Sequence, residues 1–131
     1  MKKVLLNVSN HPSPKWGKKQ MKAVEDDFGC SLVRDIPFPP IPSDLSTEGV
    51  IHMARDFYAT YIRPTPEDEY IVHLMGEQSF CFFLAEILLA EGISVVVSTT
   101  ERKAVVETLP DGTIKKEAVF EFVQFRDLFQ I

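Results

Sequence analysis

Three short polar runs hold the side chains best suited to chemistry. Ser9-Asn10-His11 follows an apolar stretch. Asn10 and His11 can hydrogen-bond a base or a ribose, and His11 can move protons near neutral pH. The plainer reading is that Asn10 stabilises its own turn. Gly76-Glu77-Gln78-Ser79 leads into a helical pattern. Free N–H groups and the helix dipole favour an anion such as phosphate there. The plainer reading is that Ser79 caps the helix and Glu77 complements its dipole. Ser98-Thr99-Thr100-Glu101-Arg102 offers hydroxyls and a guanidinium, which matches phosphate bidentately. Otherwise it is a strand-end turn with a surface arginine. Trp16 could stack on a base or staple its loop to the core. Lys15, Lys18, Lys19 and Lys22 share one helical face nearby, either as a solvated face or as an attraction for an anion.

Other chemistries lack their patterns. There is no GxGxxG and no Walker sequence, so dinucleotide binding and ATP hydrolysis of the usual kinds are unsupported. His11, His52 and His73 lack ligand spacing, so no metal and no cofactor is expected. Cys30 and Cys81 read as buried reduced thiols. No Ser-His-Asp order stands out, so a protein nucleophile is not expected. The net charge of −5 argues against binding duplex nucleic acid through a basic surface.

The elements that must position these runs alternate. The 131 residues, 45% of them hydrophobic, suit one domain with a real core. Met1-Lys2-Lys3 opens directly into a first strand, Val4–Val8, rather than a signal peptide. A helix follows, with Gly17 as N-cap, Gln20 as a weak capping-box partner, and a Met21, Val24, Phe28 stripe closed by Gly29. Cys30–Ile36 is a second strand, and Pro37–Pro42 an extended connector. Thr47–Ile62 is a second helix, with Val50, Ala54, Phe57 and Tyr61 on one face. Tyr70–Met75 is a third strand. Phe80 to about Glu91 is a helix apolar almost all round, buried on more than one side. Glu86 interrupts its apolar run, which is too short to span a bilayer. Ile93–Val97 is a fourth strand, ending in the Ser98–Arg102 run. Asp111-Gly112 marks a hairpin between Val105–Leu109 and Thr113–Phe125. Along the latter, Val119, Glu121, Val123 and Phe125 face one way and Phe120, Phe122 and Gln124 the other. This order predicts an α/β domain over residues 1–131, soluble and cytoplasmic, with a mainly parallel sheet and a C-terminal hairpin. If strands one, three and four are neighbours, their polar ends converge where such sheets bind ligands.

With those residues in view, the chain resembles a known group. Val8-Ser9-Asn10-His11-Pro12 with Trp16 and Gln20, Asp35-Ile36-Pro37-Phe38-Pro39, Gly76-Glu77, Ser98–Arg102 and Phe120–Arg126 carry the likeness. The group is the small CRISPR-associated, Rossmann-like relatives of the CARF domain found beside type III systems. The resemblance implies a Rossmann-like three-layer homodimer that binds a cyclic oligoadenylate, cyclic tetra-adenylate above all, across its two-fold axis, with the apolar third helix as interface. It implies ring-nuclease activity without metal, in which a ribose 2′-hydroxyl attacks the neighbouring phosphate. Asn10, Ser79, Thr99, Thr100 and Arg102 match the group's ligand contacts. Ser9, Gly76, Gln78 and Ser98 accompany them. Arg102 would stabilise developing charge, and Glu77 or His11 would act in proton transfer. Arg102 alone is little positive charge for a tetra-anionic ring.

Three alternatives stay open. One is a sponge that sequesters the ring uncut. Another is a non-enzymatic subunit docking through its third helix and hairpin. The last is a different small-nucleotide enzyme on the same fold.

Overall fold

The computed structural model describes residues 3–131, so Met1 and Lys2 of the expected basic opening lie outside it. The chain runs β1 (Lys3–Ser9), a 3-10 turn (Ser13–Lys15), α1 (Lys18–Phe28), β2 (Leu32–Pro37) and α2 (Thr47–Phe57). It continues through a π-turn (Tyr58–Ile62), β3 (Glu69–Met75), α3 (Gln78–Ala90), β4 (Ser94–Thr108) and β5 (Ile114–Leu128). The five strands form one sheet in the order β2-β1-β3-β4-β5. β1, β2, β3 and β4 are parallel, and β5 returns antiparallel to β4. The fold is therefore α/β, with a mainly parallel sheet and a C-terminal hairpin. No helix among the described residues is long and apolar enough to cross a membrane.

Strand alternation splits the core in two. Val4, Leu6, Val8, Val72 and Leu74 pack against Val50, Ala54 and Phe57 of α2 and Phe80, Leu84 and Leu88 of α3. Leu5, Ile71, Val96 and Phe125 pack on the other face against Trp16 and Val24. Both faces of the central strands are covered, as their near-continuous apolar runs require. The chain reverses its direction of travel across the sheet between β1 and β3. Their carboxyl ends, with that of the sheet-bound part of β4, define one edge of the molecule.

Local chemistry sets the boundaries and corrects several expectations. Gly17 does cap α1, but without a side-chain bond, and Gln20 is buried rather than part of a capping box. Gly29 ends α1 at φ +67, a left-handed conformation that glycine adopts without strain. Met21 lies 40% exposed, outside the stripe that buries Val24. The five-residue turn Tyr58–Ile62 continues α2 and closes with Arg63 N–H donating to the Tyr58 carbonyl at 2.8 Å. That extra residue rotates the helical phase, so Ile62 is fully buried and Tyr61 turns outward. β2 starts two residues later than expected, at Leu32. The third helix starts at Gln78 rather than Phe80 and fully buries one stripe, Phe80, Leu84 and Leu88, while Phe82 is exposed.

The largest correction concerns the fourth strand. Ser98–Arg102 is not a tail, because β4 continues to Thr108. It pairs with β3 only from Ser94 to Val96, then leaves the sheet as one half of a two-stranded arm with β5. β-Branched residues sustain it, and Gly112 at φ +88 closes its turn. Thr99 pairs with Gln124 and Thr100 with Phe122, leaving Val123 as a bulge. The bulge breaks the simple alternation and brings Phe122 and Phe125 together, their ring centres 4.9 Å apart.

Packing predicts two opposite outcomes in urea denaturation. Phe80→Ala should cost about 3–5 kcal/mol, because it empties a closed core site. Met21→Ala should stay within ~0.5 kcal/mol.

Candidate functional site

A cavity of about 730 Å³ opens at the carboxyl edge of β1, β3 and β4. Ser9, Asn10 and His11 line it from the first strand end, and Met75 and Gly76 from the third. Ser98 and Thr100 of β4 and Phe120 and Phe122 of β5 form the wall toward the arm. Lys15, Gly17, Lys18, Lys19 and Gln20 close the side nearest α1, and His73 lies at the floor. This volume lies in the range of small-molecule sites, ~300–1,000 Å³.

A polar row crosses the sheet beneath the cavity. The register places Asp35 beside Asn7 and Asn7 beside His73. Asn7 and His73 are each 1% exposed, so their polar atoms need protein partners. Asn7 Nδ2 donates to Asp35 Oδ1 at 2.8 Å and to the His11 carbonyl at 3.0 Å. Asn7 Oδ1 accepts from Ser9 Oγ at 2.8 Å and faces His73 Nδ1 at 2.8 Å. Asp35 can only accept, which fixes the amide orientation. An amide oxygen also only accepts, so His73 must carry its proton on Nδ1. Its Nε2 is then bare and faces Ser98 Oγ at 3.1 Å.

The loop after β1 is drawn onto the same network. The His11 carbonyl accepts from Trp16 Nε1 at 2.9 Å as well as from Asn7, and His11 N–H donates to Ser9 Oγ at 3.2 Å. Ser13 donates to Asp35 through both its hydroxyl and its N–H. Trp16 is 7% exposed and meets the His73 ring edge-on at 5.2 Å. It therefore staples the loop and is not free to stack on a base. Phe125 meets His73 at 5.6 Å.

Burial, with a smaller contribution from His11, pushes His73 down to about 4. Burial pushes Asp35 up, but the bonds from the Ser13 hydroxyl, the Asn7 amide and the Ser13 N–H outweigh it and hold Asp35 below the usual range. Burial pushes the Cys81 thiol up to about 12, with Glu77 adding, and burial raises Cys30 too, so neither free thiol is primed to react. Among the described residues, no group of three or more His, Cys, Asp or Glu is placed to hold a metal ion.

The sequence-derived candidates divide. Ser9, Asn10, His11, Gly76, Ser98 and Thr100 line the cavity. A Cβ at Gly76 would meet the Phe38 ring at 2.3 Å, so any other residue there must displace that ring. Arg102 lies two residues beyond Thr100 on the exposed arm, opposite Phe120. Strand alternation gives it the cavity face, but outside the cavity wall. Thr99 has the other face and donates to the Gln124 carbonyl. Glu77, Gln78 and Ser79 lie outside the wall. Glu77 itself is the N-cap of α3, accepting from Ser79 N–H at 2.8 Å and Phe80 N–H at 3.0 Å. Ser79 gives its hydroxyl to the same carboxylate. Bonds from the Ser79 hydroxyl and the Phe80 and Ser79 N–H groups hold Glu77 below the usual range. The expected assignment of cap to Ser79 is thus reversed, and a carboxylate occupies the helix end where a phosphate would sit.

Asn7 and the working arrangement of Asp35 and His73 escaped the sequence reading. The available signal was a lone buried-type polar residue inside the first and third strand-like runs, Asn7 and His73. A buried strand does not hold such a residue without a partner.

The fold and cavity define a class: a small α/β protein with a ligand-sized pocket at the switch point of its sheet. Residues 3–126 match the family described as Uncharacterized protein MJ1673, and the chain belongs to that family. No curated protein matches it, and no solved structure does.

The His73 shift has a stability consequence. Its folded value lies below its unfolded one, so as pH falls the unfolded chain takes up a proton first. Stability is full above 6.5 and is lost toward about 4. The loss from this group is on the order of 3 kcal/mol. Urea denaturation between these pH values should show it in the wild type, and His73→Gln should remove that part of the pH dependence.

Proposed function

We propose that the cavity binds a cyclic oligoadenylate, cyclic tetra-adenylate foremost, and that the protein opens the ring by metal-independent attack of a ribose 2′-hydroxyl on the adjacent phosphate. On this reading it switches off type III CRISPR signalling in the cytoplasm. The observation that carries the anionic part is the position of Lys15, Lys18 and Lys19. All three line the cavity of a chain whose net charge is −5. Lys18 and Lys19 open α1, whose first turn has no acidic residue. Cations at the positive end of a helix dipole are unfavourable by ~0.3–1 kcal/mol each. A bound polyanion reverses that sign. Against one lining carboxylate, Glu121, these three lysines leave the cavity a positive excess that Arg102 alone does not supply.

Asn10 and His11 offer groups for a base or ribose, and the Phe120 and Phe122 rings offer stacking surface. Thr100 and Ser98 complete a polar wall. Arg102 would reach the ligand from the arm, and Thr99, Gln78, Ser79 and Glu77 stand further off. In-line positioning and charge stabilisation suffice for this reaction without a protein nucleophile.

The arm supports a homodimer. A lone two-stranded ribbon is marginally stable in water. Here Val106 and Ile114 are 60% and 63% exposed on it. A second copy would cover them and bring a second set of cavity residues to a symmetric ring.

Calorimetry with cyclic adenylates of several ring sizes, followed by chromatography of the products with and without chelator, tests the reading. The expected result is tight binding of cyclic tetra-adenylate and chelator-resistant conversion to products ending in 2′,3′-cyclic phosphate. Lys18→Ala and Lys19→Ala should each weaken binding about tenfold and flatten its salt dependence. Binding of no adenylate would refute the proposal, and binding without conversion would leave a sponge.

A further inference from the structure

We infer that Ser98 and His73 form the proton-accepting pair of this site, with Ser98 taking the proton of the attacking hydroxyl and passing its own to His73. The inference rests on the phosphodiester reading above and adds the residues that perform the step. Its basis is geometric. Ser98 Oγ lies on the cavity wall, 3.1 Å from His73 Nε2. His73 Nδ1 is tied to Asn7 Oδ1 at 2.8 Å, and Asn7 in turn to Asp35 at 2.8 Å. Hydroxyl, imidazole, and a third group that orients the imidazole are the parts of an activated hydroxyl.

Ser98 Oγ also lies 2.9 Å from Met75 Sδ. A hydroxyl has one proton, and a bare imidazole nitrogen is a far better acceptor than a thioether. The proton therefore goes to His73, and Met75 limits the rotation of the hydroxyl. The His73 side chain is almost fully buried, so it reaches a ligand only through Ser98. Ser98 is the catalytic residue, and His73 and Asn7 are positioning residues. Strands rather than loops hold all three.

The step balances. The 2′-oxygen bonds to phosphorus as its proton moves to Ser98 Oγ, and the Ser98 proton moves to His73 Nε2. The bond from phosphorus to the 5′-oxygen breaks, and that oxygen takes a proton from water. His73 then returns its proton through Ser98 to solvent. Burial keeps the imidazole neutral at neutral pH but also lowers its basicity, and phosphate charge in the cavity offsets that by stabilising the imidazolium that forms. The charged or titratable groups facing the pair are His11 from the loop after β1, Asp35 behind Asn7, Glu121 of β5, and Lys15, Lys18 and Lys19.

The test compares wild type, Ser98→Ala, Ser98→Thr and His73→Gln with cyclic tetra-adenylate. Single-turnover cleavage is followed from pH 4 to 8, affinity is measured by calorimetry, and folding is checked by melting. Ser98→Ala should lose about 10²-fold or more in rate while its affinity stays within about threefold. Ser98→Thr should recover most of the rate. His73→Gln should be slow and should lose the acid limb of the pH profile at pH values where melting shows both proteins folded, which a structural role alone would not move. Ser98→Ala cleaving at the wild-type rate overturns the inference, as does a loss of rate that only follows a loss of affinity. Wild type that binds the ring and leaves it whole overturns the inference but not the binding. Wild type that binds no ring overturns both.

Discussion

A primary amide buried in a parallel sheet needs four hydrogen-bond partners, and Asn7 has four. It has them because three neighbouring strands each bring a polar group to the same level. Asp35, Asn7 and His73 sit side by side by register, while Ser9 and the His11 carbonyl approach from the strand's own end. The consequences reach well beyond the amide. The loop after β1 is held down through His11 and Trp16, which sets one wall of the cavity. The imidazole of His73 is fixed in one tautomer and presented to Ser98. Replacing Asn7 by an apolar residue would strand the buried His73 Nδ1–H, at a cost of about 1–3 kcal/mol.

Two helix ends frame the site and have opposite electrostatic states. α3 neutralises its own N-terminus with Glu77, and Ser79 reinforces that carboxylate. α1 does the reverse: its end has lysines and a glycine cap without a side-chain acceptor. Preference for an anion therefore shifts from the turn after β3 to the start of α1. The site is built from the first crossover and the β4–β5 arm, with the third strand supplying its floor.

Much of the fold was legible because it depends on periodicity. Alternating strand and helix patterns predict the parallel sheet, and Asp111-Gly112 predicts the hairpin turn. The phase errors have single-residue causes. The π-turn at Tyr58–Ile62 exchanges Tyr61 for Ile62, and the bulge at Val123 places Phe122 with Phe125. One extra residue in a turn or ladder leaves no mark on composition. The length of β4 was hidden for a different reason: its polar, β-branched segment reads equally as a loop or as an exposed ribbon, and only pairing with β5 decides. At the site, strand-end residues such as Asn10, His11 and Gly76 were legible because sheet topology dictates where ends meet. Asn7 and His73 were not, since their partnership spans 66 positions and exists only through register.

One proton decides the chemistry of the site. If Asn7 orients His73 as described, the imidazole has its hydrogen on Nδ1 and offers a bare Nε2 to Ser98. Nitrogen-15 NMR of the His73 side chain in the wild-type protein near neutral pH reads this directly. The expected spectrum is a neutral ring protonated at Nδ1, with Nε2 free. A ring protonated at Nε2, or at both nitrogens, would contradict it.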